Sequence, residues 1–293
     1  MDTTKCTALL TILEKGSLSA AADALGYTPS GISRMIDSME EETGFALLTR
    51  SRRGVALTPE GEDMLPLIRD LARAGERYEQ SAHRILGLDV GHIHIGTAYF
   101  AFYPWLGELI AGFHERYPAI SVDIKESPSA QLARGLAEGA LDAAFMSRRE
   151  GDHEFRLIRK DPLVAILPPG HPYATKKALP AERFSEEPFI QLLPGHETDN
   201  AIYFRENGIR PNIQFTSSDT ISGAAMVAAG LGITTSNALI AEELGSNVVK
   251  IPLDPPRIVE IGMSWPKKSA LSPAAERFVE YTLAHFDECP LAE

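Results

Sequence analysis

The sequence has few cysteines and no long apolar run. Its 293 residues include only two cysteines, Cys6 and Cys289, which excludes a disulfide framework and a cysteine-based zinc site. The longest apolar stretches, such as 221–235, are interrupted by Ser, Gly and Thr, and none reaches the roughly 20 residues that a membrane helix needs. The first residues also lack the basic and apolar regions of a signal peptide. We therefore expect a cytoplasmic protein that does not interact with membranes.

Motifs of the common enzyme classes are absent as well. The chain has no nucleophile elbow, no phosphate-binding loop and no dinucleotide-binding fingerprint. His92 and His94 alternate on one strand face, and they would need partners from elsewhere in the chain to bind a metal. We therefore predict no enzyme activity, no catalytic residues, no cofactor and no metal site.

Positive charge is also scarce, since 28 basic and 40 acidic residues give a net charge of −12. A uniform surface of this sign would repel the phosphates of nucleic acids. A small basic patch is nevertheless enough for docking, because net charge describes only the whole molecule. The composition is otherwise ordinary, with 44% hydrophobic and 23% charged residues. It excludes global disorder, and the length suggests about two domains.

The first 58 residues predict three short helices followed by two short strands. Residues 4–15 carry an apolar helical stripe, and 19–25 are rich in alanine. A third helix runs to about residue 43 from Thr28, a typical N-cap with proline directly after it. Residues 46–57 then form two extended segments around a basic turn. This order indicates a winged helix-turn-helix.

A long helix is predicted over residues 59–86. Its apolar residues recur every three or four positions, namely Met64, Leu67, Ile68, Leu71, Ala74, Gly75, Tyr78, Ala82 and Ile85. Nothing else in this region is long enough to cover such a stripe, which favours a two-stranded coiled coil and therefore a dimer. The alternative is that the stripe packs onto the chain's own domains.

From residue 89 onwards, strands and helices alternate, which is typical of an α/β domain. Predicted strands lie at 92–97, 120–124, 141–146, 163–167, 189–193, 213–216 and 232–235, with helices between most of them. Similar helix–glycine–strand junctions at 137–142 and 228–233 suggest two related subdomains with a ligand cleft between them. The predicted divisions are 1–58, 59–88 and 89–293, the last comprising subdomain I (about 89–164 and 266–293) and subdomain II (about 165–265).

Eight segments together resemble the LysR-type transcriptional regulators, over essentially the full length of the chain. They are residues 16–25, 32–44, 47–50 and 57–61 in the first part, and 113–118, 139–142, 167–172 and 227–233 in the second. One departure concerns the start of the third helix, where Pro29-Ser30 replaces the Gln-Pro frequent in the family. A side chain suited to reading adenine is therefore missing, and operator preference should not be transferred from relatives.

The resemblance implies a fold and a set of partners. The fold class is α/β, with an N-terminal winged helix-turn-helix, a long linker helix and a C-terminal effector domain of two α/β subdomains that resemble periplasmic binding proteins. The function is that of a ligand-responsive, sequence-specific DNA-binding regulator. Its partners would be double-stranded operator or promoter DNA, a small effector of aromatic or anionic character, and further copies of the chain. These would form a dimer through the linker helix and then a tetramer, and RNA polymerase is a further candidate partner.

The candidate DNA-binding residues lie on the third helix and the wing: Thr28, Ser30, Ser33, Arg34, Arg50, Arg52 and Arg53. Arg34 is placed to contact a guanine or a phosphate. The wing arginines are placed to reach the backbone or the minor groove. Thr28 is expected to be a helix cap with a phosphate contact rather than a base reader. The alternative for the wing is a solvated basic turn.

The candidate effector-binding residues follow strands or begin helices. They are Thr97, Ala98, Tyr99, Phe100, Ser127, Ser129, Phe145, Ser147, Gln191, Asp219 and Thr220. Hydroxyls and free N–H groups at helix starts favour an anion, whereas the aromatic residues near position 100 favour an apolar ligand. For Phe102 and Trp105, a place in the core or at a subunit contact is an equal alternative.

Two other functions compete with the regulator. One is a cytosolic solute-binding protein with a degenerate N-terminal domain, and the other is an enzyme built on the α/β part. The basic wing and the intact helix caps argue against the first. The missing catalytic motifs argue against the second.

Overall fold

A computed structural model of the chain describes residues 2–51, 54–87, 89–267 and 271–292. The chain divides into two compact units, one formed by residues 1–91 with 138–140 and the other by 92–137 with 141–293. Within the described ranges, no helix combines the length and the apolar character needed to cross a membrane.

The first unit begins with the three predicted helices. They are α1 (Thr3–Lys15), α2 (Leu18–Leu25) and α3 (Pro29–Thr43). Side chains of Asp2, Ser17 and Thr28 cap their N-termini, and each helix ends at a glycine with positive φ, a conformation that costs glycine little. Their inward faces form one buried apolar cluster that includes Leu9, Ile12, Ile32, Ile36 and Met39.

The wing is an antiparallel hairpin of β1 (Leu48–Ser51) and β2 (Gly54–Leu57). The Glu40 carboxylate on α3 accepts hydrogen bonds from the backbone N–H groups of Leu47 (2.7 Å) and Leu48 (3.0 Å). These charge-assisted bonds fix the base of the wing against the third helix. The turn residues Arg52 and Arg53 lie outside the described residues.

The long helix α4 (Pro59–Ile85) also forms as predicted, with Thr58 as its N-cap. Its apolar stripe divides between two surfaces. Ile68 is buried in the cluster of the first unit, and Met64 packs against the same cluster. The other surface is exposed and carries Leu67, Leu71, Tyr78 and Ile85, with exposed fractions of 60, 37, 77 and 86%. The alternative of packing onto the chain's own domain therefore holds for one side of the helix only.

The second unit is an α/β structure. Its elements are β3 (Gly91–Thr97), α5 (Tyr103–Arg116), β4 (Ile120–Glu126), α6 (Ser129–Ala137), β5 (Ala143–Ser147), β6 (His153–Leu167), β7 (Leu179–Pro180), α7 (Arg183–Glu186), β8 (Phe189–Leu192), α8 (Asp199–Glu206), β9 (Ile213–Ser217), α9 (Thr220–Ala228), β10 (Thr234–Asn237), α10 (Ala238–Glu242), β11 (Val249–Asp254), β12 (Ile258–Pro266) and α11 (Pro273–Ala284). Eight strands form a sheet in the order β4-β3-β5-β12-β6-β11-β7, and β10 also pairs with β6. Strands β8 and β9 form a separate parallel pair.

The long strand β6 connects the two halves of this unit. Its first part pairs with β12, and its last part, from Leu163, pairs with β10 and β11. Strand β12 also pairs with β5, although most of its residues fall in the range predicted for subdomain II. The chain thus returns through β12 to the half that contains β3, β4 and β5. We refer to that half as the β3–β5 half, and to the part around β8–β10 as the β8–β10 half.

Candidate functional sites

The exposed side of α3 carries a polar stripe. Ser30, Arg34 and Asp37 are exposed and Ser33 is half-buried, and positions three, four and seven apart share one helical face. The opposite face, with Ile32 and Ile36, is buried. Arg34 forms no ion pair with any residue in the described part of the chain. Its guanidinium therefore has its full donor capacity available to a partner outside the protein.

Arg50 of the wing lies against this stripe. Its Nη1 donates to Ser33 Oγ (2.9 Å), and its Nη2 lies 2.8 Å from Asp37 Oδ1. Both charged side chains are about half exposed, at 43% for Arg50 and 58% for Asp37. The structure thus brings together three predicted residues, Ser33, Arg34 and Arg50, and adds Asp37, which the sequence analysis missed. The only signal in the sequence for Asp37 was its position one helical turn after Ser33, which places both residues on the same face of α3.

Thr28 acts as the cap of α3, because its Oγ1 accepts a hydrogen bond from the Gly31 N–H (3.1 Å). Ser30 Oγ lies 3.2 Å from the same oxygen. Both hydroxyls therefore sit at the start of the helix, where unpaired backbone N–H groups favour an anion. A phosphate contact there stays a prediction.

The second unit contains a cavity of about 510 Å³ between its β3–β5 half and its β8–β10 half. Its lining residues are Ala98, Tyr99, Phe100, Tyr103, Glu126, Pro128, Ser129, Arg149, Leu192, Leu193, Thr198, Asp199, Asn200, Ser218, Asp219, Thr220, Ile221, Ser236, Asn237 and Ile240. Six predicted effector residues are among them, namely Ala98, Tyr99, Phe100, Ser129, Asp219 and Thr220. The volume is within the usual range of small-molecule pockets.

Five predicted residues are not part of this lining. Thr97 is fully buried, and its Oγ1 donates to the Tyr99 carbonyl (3.2 Å). Phe145 is also fully buried, with its ring centroid 5.5 Å from that of Trp105. The remaining three are Ser127, Ser147 and Gln191. Phe102 and Trp105 belong to the same apolar core. Of the alternatives considered for these two residues, the structure therefore shows a place in the core.

Asp199 is the centre of a polar network at the cavity wall. Its carboxylate accepts hydrogen bonds from Ser147 Oγ (3.0 Å), Arg149 Nη2 (2.8 Å) and Tyr99 Oη (3.2 Å). The Arg149 and Asp199 side chains are only 13 and 11% exposed. Asp199 is the first residue of α8, whereas Arg149 follows β5, so this ion pair joins the two halves of the unit. Sequence reasoning missed both residues, which lie 50 positions apart.

Two nitrogens near this network remain without a partner. Arg149 Nε and Asn237 Nδ2 are buried and make no hydrogen bond within the described part of the chain. Buried polar donors are normally satisfied, and both residues line the cavity. The two residues therefore place donors that the described chain leaves unsatisfied next to the cavity.

The tyrosines of the cavity stay protonated. Burial, and then the nearby charge of Asp199, raise the pKa of Tyr99 well above its usual range. Burial and the hydrogen bond to Glu126 raise the pKa of Tyr103 to about 12. At neutral pH both phenols therefore act as hydrogen-bond donors.

Two helix-start residues are already engaged. Asp219 accepts a hydrogen bond from the Ser222 N–H (2.7 Å), and its pKa is lowered mainly by the hydrogen bond from the Ser222 hydroxyl. Ser129 Oγ accepts from the Ser147 N–H (3.1 Å). Both side chains therefore hold the walls in place, and direct ligand contact by either one stays a prediction.

Comparisons with known proteins agree along the whole chain. Residues 4–62 match the family described as bacterial regulatory helix-turn-helix protein, lysR family, and residues 87–287 match the LysR substrate binding domain. The HTH-type transcriptional regulator YvbU of Bacillus subtilis is 29% identical, over 96% of this chain and 97% of its own. Among solved structures, HinK, a LysR family regulator from Pseudomonas aeruginosa, is 27% identical, with a TM-score of 0.53 over 97 and 98% of the two chains. Full-length OxyR from the same species has the same fold, with a TM-score of 0.70 at 20% identity over 100 and 96%.

Proposed function

Because the chain belongs to the LysR family of transcriptional regulators, which combine a helix-turn-helix DNA-binding domain with an effector-binding domain, we propose how its two parts recognise their ligands. The polar stripe of α3 enters the major groove, where Ser30, Ser33 and Arg34 contact base edges and phosphates. Arg52 and Arg53 contact the DNA backbone beside it, and Arg50 does so when it is released from its ion pair with Asp37. This proposal rests on Arg34, which is exposed and makes no ion pair within the described part of the chain. It lies on the polar stripe of α3, which Arg50 of the wing also contacts.

The effector is a small organic anion with an apolar or aromatic body. Arg149 and Asn237 offer buried donors to an anionic group, while Phe100, Leu193 and Ile221 supply apolar wall. An anion that binds Arg149 competes with Asp199 for the guanidinium. Arg149 and Asp199 belong to different halves of the unit. When Arg149 exchanges Asp199 for a bound anion, the equilibrium between two arrangements of these halves therefore shifts. A ligand switches the protein only by such a difference in affinity.

A titration with aromatic and aliphatic carboxylates tests the effector proposal. We expect calorimetric binding of at least one carboxylate to the full-length protein, and loss of that binding in Arg149→Gln. Arg148→Gln is the matched control, because Arg148 pairs with Glu260 and is 62% exposed. The double variant Arg149→Gln/Asp199→Asn removes both charges of the buried pair, so it separates lost binding from lost stability. Equal binding by the Arg148 and Arg149 variants would contradict the proposal.

The exposed apolar surface of α4 supports a dimer. Leu67, Leu71, Tyr78 and Ile85 follow the spacing of a coiled-coil seam and are exposed in the single chain. We propose that a second copy covers them and that dimers pair further into tetramers. RNA polymerase is the proposed partner in transcription.

The division into residues 1–58, 59–88 and 89–293 is part of the same proposal, as are the absence of catalysis and a place in the cytoplasm. A transcriptional regulator acts by binding DNA, which requires no reaction. The bacterial chromosome to which such a regulator binds lies in the cytoplasm.

A further inference from the structure

Two histidines and an aspartate meet on the exposed side of the strands β3 and β4. His92 and His94 alternate with the buried Ile93 and therefore point to one face of β3. Asp123 is exposed on the neighbouring strand β4. One ring nitrogen from each histidine and one carboxylate oxygen all lie within 4.8 Å of one another.

The strands hold these side chains in place. On the opposite face, Ile93 and Ile95 are fully buried in the main core, which fixes the backbone of β3. The Asp142 carboxylate accepts a hydrogen bond from the backbone N–H of His94 (2.9 Å). The ring centroids of His92 and His94 lie 4.4 Å apart.

His92 also has a second partner that orients its ring. Its Nε2 lies 3.0 Å from Asp123 Oδ2, while its Nδ1 lies 2.6 Å from Ser121 Oγ. A histidine that binds a metal typically donates its other ring N–H to an oxygen, which fixes both tautomer and orientation. Ser121 offers that oxygen when Nε2 faces the ion.

The donor set selects a class of ion. Two imidazoles and one carboxylate suit borderline divalent transition metals such as Zn²⁺, which such sites bind with a water in the fourth position. Bonds of about 2.0–2.2 Å are required, so small rotations of the exposed side chains complete the site. The hard ions Mg²⁺ and Ca²⁺ prefer oxygen ligands and are disfavoured.

We propose that His92, His94 and Asp123 bind one divalent transition-metal ion of the Zn²⁺ class, with Ser121 as the positioning residue for His92. The site lies outside the effector cavity, since none of these residues lines it. It is nevertheless connected to the cavity, because β3 continues into Ala98 and Tyr99 of the cavity wall. A metal ion at the β3–β4 edge therefore acts on the cavity wall through β3, separately from the organic effector that binds in the cavity.

Metal titration of the untagged full-length protein tests this site. We expect one Zn²⁺ per chain in competition with a chromophoric chelator, and Co²⁺ absorption bands typical of a four-coordinate site. His92→Gln, His94→Gln and Asp123→Asn should each remove the Co²⁺ bands. His114→Gln is the matched control, because His114 is exposed on α5, outside the cluster, and should bind as the wild type does.

Ser121→Ala provides the finer test, since loss of an orienting partner typically lowers metal affinity about 10- to 100-fold while leaving one ion per chain. Circular dichroism of each variant confirms the fold. The proposal is overturned if the wild type shows no Co²⁺ bands, or if the His92, His94 and Asp123 variants retain them. Equal loss of binding in the His114 variant would also overturn it, because binding would then be general to surface histidines.

Discussion

Asp37 is predicted to restrain DNA binding. Its carboxylate lies 2.8 Å from Nη2 of Arg50, on the same face of α3 as Ser33 and Arg34. It therefore occupies a cation that would otherwise reach a phosphate, and it places a negative charge next to the DNA. Asp37→Asn keeps the size of the side chain and removes that charge. We expect this variant to bind DNA more tightly than the wild type.

The Asp37→Asn change has two expected magnitudes, one for the stability of the protein and one for its affinity for DNA. An exposed ion pair contributes about 0.2–1 kcal/mol to folding, so the melting temperature should change little. One additional phosphate contact steepens the slope of log K against log salt by about 0.9. Extrapolated from 1 M to 0.1 M salt, that slope corresponds to a gain of roughly eightfold in affinity. The gain should be similar for all DNA sequences, because phosphates carry no sequence information.

Fluorescence anisotropy with a labelled duplex at several salt concentrations measures both quantities. Glu41→Gln is the matched control, because it removes an exposed acid from the same helix at a position that does not contact Arg50. In an Arg50→Ala background, Asp37→Asn should give a smaller gain, since the freed cation is then missing and only the removal of the negative charge acts. An unchanged affinity and salt slope in the single variant would refute the reasoning.

Three further predictions concern other parts of the chain. Replacing Arg52 and Arg53 by alanine should lower the salt slope by about one unit per lost contact, and an unchanged slope would exclude the wing turn from the interface. Leu71→Asp should convert the proposed dimer to a folded monomer in sedimentation, because it places an unpaired charge in the proposed seam; a stable dimer would place the interface elsewhere. Ser129→Ala leaves the buried N–H of Ser147 without its acceptor, so unfolding experiments should show a loss of about 1–3 kcal/mol. An unchanged stability would show that water replaces the hydroxyl.

Local sequence patterns were sufficient to predict the helices of the first unit. Capping residues and terminal glycines bound α1, α2 and α3, and both features act within a few residues of one another. The first part of β6 was not predicted, because residues 153–162 are rich in charged side chains and do not show a simple alternation. Their strand conformation depends on pairing with β12, a contact about 100 residues distant in sequence. Such long-range pairing leaves no local signal.

The sites show the same limit. The placement of Ser33, Arg34 and Arg50 on a helix face and a hairpin could be predicted because both are local features, while their contact with DNA stays a prediction. The Asp37–Arg50 and Arg149–Asp199 pairs depend on contacts between separate elements, which periodicity does not report. Position after a strand correctly placed Tyr99 at the cavity. It does not distinguish lining from core, so Phe145, predicted for the effector site, lies in the core instead.

We infer that α3 recognises a specific DNA sequence. Equilibrium binding to a duplex from upstream of the chain's own gene, compared with a shuffled duplex of equal length and composition, tests it most directly when wild type and Arg34→Ala are measured together. The wild type should prefer the upstream duplex. Arg34→Ala should lose about 1–3 kcal/mol of binding to it, with a smaller loss on the shuffled duplex and no loss of thermal stability. Equal wild-type affinity for the two duplexes, or an Arg34→Ala variant that discriminates between them as well as the wild type does, would contradict the account.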